Sequence, residues 1–209
     1  SIEDFKGKEI AVDTAGVSYF FLLQVLKEAG LGKDDFTAVN TDPAAAAAAF
    51  QSGNVDIAVT YAPFLQQAAD AVEDGRIIYD SSSMPTAIID LYLFDTAFVE
   101  EYAETVLAFV YATLRGLEFL ETNPEEALAI GAKELEVTPE ELASDLEGVK
   151  LPDVATNLKM LAEPSSDLYL EKPMEDLATF LLEEEQIESE VSDFPALFDP
   201  QFVQAYEGS

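Results

Sequence analysis

The chain has 209 residues, of which 49% are hydrophobic, so it is long enough to bury a core without disulfide bonds. It contains no cysteine and no histidine, which excludes thiol nucleophiles, thiolate metal sites and the Ser-His and Cys-His catalytic pairs. Its 42 acidic and 10 basic residues give a formal net charge of -32, and a surface of that sign repels nucleic acid. Catalysis remains open only through carboxylates, lysine or tyrosine, and no cofactor is predicted.

The acidic residues alternate with apolar residues at helical spacing, as in FVEEYAETVLAFVYATL (98–114). We therefore interpret the charge as the solvated coat of folded helices rather than as a sign of disorder. Because self-repulsion weakens a compact state in dilute salt, we hypothesise that the protein works at high salt, where the Debye length falls to about 3 Å.

Residues 1–80 repeat one pattern, in which a β-rich run is followed by a turn and a helical run. This alternation predicts βαβ units, a parallel sheet and an α/β fold. The six alanines 44–49 are predicted to form a helix face that lies close to the sheet, with Asp42 as N-cap and Pro43 at the first helical position. The predicted strands are EIAVD (9–13), FTAVN (36–40), DIAVTY (56–61) and RIIYD (76–80), and the predicted helices cover about 19–30, 44–53 and 64–72.

The chain becomes mostly helical after residues 81–88. A further strand, IIDLYLF (88–94), is predicted to precede a long amphipathic helix over 98–122. More helices are predicted after Asn123, Thr138 and Asp153 and over 173–187, with a short closing helix in the tail. Since only one nearby strand can receive these helices, either they pack together or their sheet is missing.

The turn that follows the first strand is the main candidate for a binding site. The strand ends at Asp13, and a turn containing Gly16 opens an apolar helix whose first N–H groups have no internal acceptors. Such a turn can hold a small anionic or polar group. The alternative is an ordinary strand-to-helix turn with Ser18 as N-cap and nothing bound. Thr41 and Asp42 are weaker candidates, because ligands of open α/β sheets bind outside the carboxyl ends of the strands.

Three long segments together resemble a known family. They are DFKGKEIAVDTAGVSYFFLLQVLKEAGL, VNTDPAAAAAAFQSGNVDIAVTYAPFL and IIDLYLFDTAFVEEYAETVLAFVYATLRGLEFLETNPEEALAI. Their order and spacing resemble the solute-binding proteins of ABC importers, within the NMT1/THI5-like and aliphatic sulfonate, taurine or nitrate-binding (SsuA-like) group. The resemblance implies a type II periplasmic binding protein-like fold whose two lobes close around a ligand by a hinge. It also implies a membrane permease as partner and a periplasmic or other extracytoplasmic location.

The resemblance also implies a division of the chain. Residues 5–83 look like the complete parallel-sheet second lobe of the family, and residues 84–209 look like the crossover strand and the helical, returning part of the first lobe. The opening strands of that first lobe are not matched, so we expect the chain to be one piece of a longer polypeptide. Studied alone, it is expected to expose an apolar face on the helices after residue 97, or to hide that face by self-association.

The resemblance implies that the turn at residues 14–19 faces the ligand. Gly16 would allow close approach of the backbone, and residues 17–19 would donate N–H groups. Tyr61 and Phe64 supply an apolar wall or simply pack the lobe, and Ala62 stands where relatives commonly have an acid. Asp90 is a candidate for a ligand amine or for hinge hydrogen bonds. The predicted ligand-binding residues are Asp13, Thr14, Gly16, Val17, Ser18, Tyr19, Thr41, Asp42, Tyr61, Phe64 and Asp90.

Three functions fit these observations. The first is a non-catalytic module that binds a small sulfonate, a carboxylate or an uncharged pyrimidine-like heterocycle and delivers it to a permease. The second is a ligand-sensing domain of a signalling protein. The third is an enzyme like the thiamin-pyrimidine synthases of the same group, against which stands the lack of histidine and cysteine. The acidic clusters at 34–35 and 183–185 lack the alternating spacing of a calcium loop and are interpreted as surface charge.

Overall fold

The computed structural model describes residues 1–207 and divides into two compact units, residues 1–89 and residues from 90 onward. The first unit is a parallel three-stranded sheet of order β2-β1-β3 with three α-helices. Its regular elements are β1 (Glu9–Val12), α1 (Val17–Glu28), β2 (Thr37–Asn40), α2 (Pro43–Gln51), β3 (Ile57–Ala58) and α3 (Phe64–Ala71). The predicted α/β alternation is therefore confirmed over these elements.

The central strand β1 forms the middle of the first core. Ile10, Ala11 and Val12 are fully buried, because β1 pairs with β2 on one side and β3 on the other and helices cover it. Helix α1 buries Leu22 and Leu26 and ends before Gly30, whose φ of 71° is the left-handed conformation that glycine adopts most readily. This arrangement fixes the carboxyl end of β1 and the start of α1 relative to each other.

The alanine-rich helix α2 lies close to the sheet, as predicted. Ala46 and Ala47 are buried, and Ala46 packs with Ala11 of β1 and with Val55. Small side chains allow the backbones of helix and strand to approach, and alanine keeps its high helix propensity at the same time. The Asp42 carboxylate accepts a hydrogen bond from the N–H of Ala45 at 2.9 Å, which confirms the predicted N-cap.

The predicted strand RIIYD (76–80) is wrong, since this segment has no regular secondary structure. Ile77 and Ile78 are exposed, at 38% and 44%. The Tyr79 side chain instead contacts α1, where its hydroxyl donates to the Glu28 carboxylate at 2.6 Å and its ring lies 6.1 Å from that of Phe21. The segment is held on α1 by these side-chain contacts rather than at the sheet edge by backbone pairing.

The regular secondary structure that the structure describes in the second unit is helical. Its helices are α4 (Thr96–Glu101), α5 (Ala103–Thr122), α6 (Pro124–Leu135), α7 (Pro139–Leu146), α8 (Val154–Ala162), α9 (Glu171–Glu183) and α10 (Gln201–Glu207). The predicted strand IIDLYLF (88–94) is wrong, because residues 88–94 form no strand and most of their side chains are exposed. A segment with high β-propensity forms no strand when no other strand is available to pair with its backbone groups.

The helix predicted over 98–122 is broken at Tyr102. Backbone angles of φ -126° and ψ 39° at this residue end α4 and precede α5. Of the predicted apolar stripe, Val106 is buried, whereas Tyr102 and Phe109 are 46% and 41% exposed. The stripe therefore contributes to a core through part of its length only.

The helices of the second unit pack on one another, which is the first of the two alternatives left open by the sequence. Leu114 of α5, Leu158 of α8 and Val203 of α10 form a buried cluster. The Tyr111 hydroxyl donates to the Ala205 carbonyl at 2.8 Å and ties α10 to α5. Among residues 1–207, no helix combines the length and the apolar character needed to cross a lipid bilayer.

Candidate functional site

The turns that leave the three parallel strands meet at the carboxyl edge of the sheet. The Thr14 N–H donates to the Asn40 side-chain carbonyl at 3.1 Å, which joins the turn after β1 to the end of β2. The Thr41 N–H donates to the Val12 carbonyl at 3.1 Å and extends the same pairing by one residue. The structure thus brings together the predicted site residues that follow β1 and β2.

The turn after β3 joins the same edge. The Thr60 hydroxyl donates to the Pro43 carbonyl at 2.8 Å, at the start of α2. Tyr61 follows with 53% of its surface exposed, and Phe64 is the half-buried first residue of α3. The exposed ring of Tyr61 is available as an apolar surface at the carboxyl edge of the sheet.

The turn between β1 and α1 is organised by the Asp13 carboxylate. One of its oxygens accepts a hydrogen bond from the Ala15 N–H at 3.0 Å. The other lies so close to Gly16 that a Cβ atom on that residue would stand 2.7 Å from it. Gly16 has an extended backbone, with φ -112° and ψ -177°, so this close approach, rather than an unusual dihedral angle, explains the glycine.

The N-cap of α1 is Gly16, and the alternative assignment of Ser18 as N-cap is wrong. Ser18 lies in the first helical turn and is only 6% exposed. The Tyr19 N–H donates to the Gly16 carbonyl at 3.2 Å, so it does not point toward a ligand as predicted. Helix α1 therefore begins two residues earlier than an N-cap at Ser18 would place it, because the Gly16 carbonyl accepts the first hydrogen bond of the helix.

Two backbone donors and one hydroxyl remain at this helix start. Within residues 1–207, the N–H groups of Val17 and Ser18 have no hydrogen-bond acceptor, and the Ser18 hydroxyl has no hydrogen-bond partner. Val17 itself is 46% exposed. No buried side-chain nitrogen or oxygen atom in the described residues lacks a partner, so the unpartnered Ser18 hydroxyl is accessible from the surface. Together with two free N–H groups it suits an oxygen atom of a ligand.

The remaining predicted residues are placed as follows. Thr41 is half-buried, and Asp42 is exposed with one carboxylate oxygen engaged as the N-cap of α2. Asp90 belongs to the second unit, where it is exposed and lies outside any strand, so its predicted position within a strand is wrong.

Asn40 and Thr60 are absent from the predicted site residues, although both hold the turns together. Each is a polar residue at or just after the end of a predicted strand, and that position was the available signal. The turns 13–19, 40–43 and 59–64 contain Asp13 and Asp42 but neither lysine nor arginine. In the described part of the chain, no group of three or more acidic side chains is arranged to hold a metal ion.

A cavity of about 530 Å³ lies in the second unit, between α5, α8 and α10. Its lining combines apolar side chains with the carboxylates of Glu118, Glu121, Asp153 and Glu207. None of the predicted site residues lines it. These four carboxylates disfavour an anion, so we assign the candidate site to the turns of the first unit.

The chain matches a known protein family. The family described as NMT1/THI5 like matches residues 1–127, and the chain belongs to this family. It is 29% identical, across 97% of its length, to the taurine-binding periplasmic protein of Escherichia coli strain K12. The chain spans between 54% and 63% of the length of the curated relatives that it matches. The family resemblance seen in the sequence is therefore confirmed.

Solved structures show the same fold. The periplasmic aliphatic sulphonate binding protein SsuA from Escherichia coli superposes with a TM-score of 0.70 at 20% identity, over 96% of this chain and 62% of that one. The desulfurization enzyme DSZB superposes with a TM-score of 0.60 at 14% identity, over 100% of this chain and 72% of that one. These likenesses confirm an α/β fold of the type II periplasmic binding kind.

Proposed function

We propose that this chain is the substrate-binding component of an ABC transporter, which captures a small organic solute and delivers it to a membrane permease. The observation that carries the proposal is the start of α1, where the N–H groups of Val17 and Ser18 and the Ser18 hydroxyl have no hydrogen-bond partner in the described residues. Family membership supports this function, since relatives named for binding taurine and aliphatic sulphonates match nearly the whole length of this chain.

The donors at this turn suit a sulfonate or carboxylate oxygen better than a cation. Two N–H groups at a helix start, next to a hydroxyl, hydrogen-bond an anion and stabilise its charge. The charge of -32 on the whole chain acts less strongly, because exposed charges beyond a Debye length of about 10 Å are screened at moderate salt. An uncharged pyrimidine-like ring remains the second ligand class, with Tyr61 as a stacking surface.

The carboxylates beside the donors favour a ligand that also carries a positive charge. The turns contain Asp13 and Asp42 and no basic residue, so a simple anion bound to the Val17 and Ser18 N–H groups would meet negative charge nearby. An amine on the same ligand offsets that repulsion. We therefore place taurine-like amino sulfonates before plain alkanesulfonates among the expected ligands.

The lobe assignment forms part of the proposal. Residues 5–83 correspond to the second lobe of the family fold, and residues 84–209 correspond to the crossover and helical return of the first lobe. Asp90 is proposed to contact a ligand amine or hinge groups. A periplasmic or other extracytoplasmic location follows from the proposed partnership with a permease.

We further propose that the chain is not an enzyme. The structural likeness to the desulfurization enzyme DSZB is distant, at 14% identity, and concerns the fold alone. The sequence has neither histidine nor cysteine to act as base or nucleophile. A sensing domain fused to a signalling protein has no supporting observation here.

Calorimetric titration of the whole chain with taurine, ethanesulfonate, acetate and a pyrimidine tests the proposal. A sulfonate should bind, and Ser18→Ala should weaken it about tenfold or more, because a hydrogen bond to a charged group contributes about 1.5–3 kcal/mol. Ser165→Ala, at an exposed serine of the second unit, is the matched control and should leave the affinity unchanged. The proposed function is wrong if none of the four compounds binds, or if Ser18→Ala binds as tightly as the unaltered chain and Ser165→Ala do.

A further inference from the structure

The Asp13 carboxylate at the end of β1 uses only one of its two oxygens within the protein. Its Oδ1 accepts the hydrogen bond from the Ala15 N–H at 3.0 Å. Among residues 1–207, its Oδ2 accepts no hydrogen bond and forms no ion pair with lysine or arginine. The residue is half-buried. A partly desolvated carboxylate without a countercharge is unfavourable, so this oxygen suits a positively charged donor from outside the protein.

The free oxygen of Asp13 lies beside the donors of the proposed site. A Cβ atom on Gly16 would stand 2.7 Å from Oδ2, so this oxygen lies against the backbone of residue 16. Val17 is the next residue, and consecutive Cα atoms are about 3.8 Å apart. The N–H groups of Val17 and Ser18 have no acceptor in the described residues. A negative acceptor and a pair of anion-binding donors are therefore separated by about one residue of backbone.

The Ser18 side chain gives a second observation that points to a ligand at this place. The residue is only 6% exposed, and its hydroxyl has no hydrogen-bond partner in the described residues. Since no buried side-chain oxygen there lacks a partner, the small exposed part of Ser18 includes its hydroxyl oxygen. A hydroxyl that stays open on an otherwise buried residue suits a hydrogen bond to a bound molecule.

The turn that carries these groups is fixed by its own hydrogen bonds. The Thr14 N–H donates to the Asn40 side chain at 3.1 Å, which ties the turn to β2. The Gly16 N–H donates to the Asp13 carbonyl at 3.4 Å, and the Ala15 N–H donates to the carboxylate of the same residue. The N–H groups of residues 14–16 therefore have acceptors, and the free donors begin at residue 17. A ligand meets both kinds of group in fixed positions, so little conformational freedom is lost when it binds.

We propose that Asp13 determines the specificity of this site, because its free oxygen accepts the ammonium group of an amino sulfonate whose sulfonate is held by the donors of α1. The inference rests on the proposed function and assigns a residue to the selection of its ligand. A charge-assisted hydrogen bond to an ammonium is about twice as strong as a neutral one and supplies the missing countercharge. The short separation of the two groups favours a ligand whose ammonium and sulfonate are about two carbon atoms apart, as in taurine. Such a zwitterion has no net charge, so the charge of -32 on the chain does not repel it.

Calorimetric titration of the whole chain with taurine and with 1-propanesulfonate measures the selection directly. The two compounds have the same length and differ in an ammonium group and a methyl group. The unaltered chain should bind taurine about tenfold or more tightly than 1-propanesulfonate. Asp13→Asn keeps an oxygen for the Ala15 N–H and removes the charge, so the ratio of the two dissociation constants should fall to about one.

Asp34→Asn is the matched control for the loss of one negative charge. Asp34 is an exposed carboxylate of the first unit that precedes β2, away from the carboxyl edge of the sheet, and its variant should keep the ratio of the unaltered chain. Both compounds are compared on the same protein, so a fraction of unfolded chain affects them equally and leaves the ratio intact.

The outcomes separate this inference from the proposed function. Equal affinity of the unaltered chain for both compounds, or the same ratio in Asp13→Asn and Asp34→Asn, would overturn the inference and leave the binding function standing. A preference for taurine that is retained in Asp13→Asn but lost in Asp90→Asn would overturn it as well. Failure of both compounds to bind the unaltered chain would overturn the proposed function together with the inference.

Discussion

The close approach of Gly16 to the Asp13 carboxylate allows the geometry of the ligand-binding turn to be tested quantitatively. In Gly16→Ala, the new Cβ atom would lie 2.7 Å from one carboxylate oxygen and 3.3 Å from its carbon. The Asp13 side chain must therefore rotate. Rotation breaks its hydrogen bond to the Ala15 N–H, which measures 3.0 Å. In this solvent-exposed turn that loss costs about 1 kcal/mol.

A second cost of the same substitution is independent of Asp13. Gly16 is the N-cap of α1, and alanine is a poorer N-cap than glycine by about 0.5–1 kcal/mol. We therefore expect Gly16→Ala to lower the free energy of unfolding by about 1.5–2 kcal/mol in the unaltered chain. In an Asp13→Ala background the clash is absent, and the same change should cost only about 0.5–1 kcal/mol.

Urea unfolding of the four proteins in this double-mutant cycle measures the difference. The expected coupling free energy between the two positions is about 1 kcal/mol. Because independent sites add to within about 0.3–0.5 kcal/mol, a coupling below that range would refute the close approach. It would mean that the turn has room for a side chain at residue 16.

Four further predictions concern single features of the fold. Asp42→Ala removes the N-cap of α2 and should cost about 1 kcal/mol in urea unfolding; an unchanged midpoint would contradict the capping bond. Hydrogen bonds from the Thr138 N–H and hydroxyl lower the pKa of Glu141 below its ordinary value of 4.5. The Glu141 carboxylate therefore stabilises the fold at pH values above 4.5, and this contribution is lost as the pH falls through the lowered pKa. The difference in unfolding free energy between the unaltered chain and Glu141→Ala should shrink in acid, and a constant difference would contradict this. Leu114→Ala opens the core of the second unit and should cost about 2–5 kcal/mol, whereas a cost below about 1 kcal/mol would show that the cluster is loosely packed. Finally, added salt should raise the melting temperature, because screening relieves the repulsion within a chain of charge -32; a melting temperature independent of salt would remove the argument for a high-salt environment.

The sequence predicted those parts of the fold that are determined by local chemistry. The Asp42 cap, the alanine face of α2 and the helix that begins after Thr138 all form where they were expected. Each depends on a few residues near one another in the chain, so composition and spacing suffice to place it. The family was likewise recognisable, because the order of several common elements is more specific than any one of them.

The wrong predictions concern features that depend on distant partners. RIIYD and IIDLYLF have the composition of strands, yet a strand forms only where another strand offers its backbone groups, and these segments have no such neighbour. The break at Tyr102 is a comparable case, since amphipathic periodicity continues through it while the backbone does not. The absent strands and the helix break depend on tertiary contacts, which intrinsic secondary-structure propensities do not take into account.

The sequence predicted that the turns after the strands lie together, but not which of their groups are free. Parallel strands place their carboxyl ends at one edge of the sheet, so the meeting of these turns was predictable from the βαβ alternation. Which N–H groups stay free depends on where α1 begins, and Gly16 rather than Ser18 caps it. That two-residue difference leaves the Val17 and Ser18 N–H groups without acceptors and engages that of Tyr19.

The central claim is that the first N–H groups of α1 bind an oxygen of the captured solute. Amide chemical shifts of the whole chain, followed by NMR during titration with taurine, test it most directly. The account predicts saturable shifts that are largest at Val17 and Ser18 and strongly reduced in Ser18→Ala. Saturable binding that leaves both of these amide signals in place would contradict it.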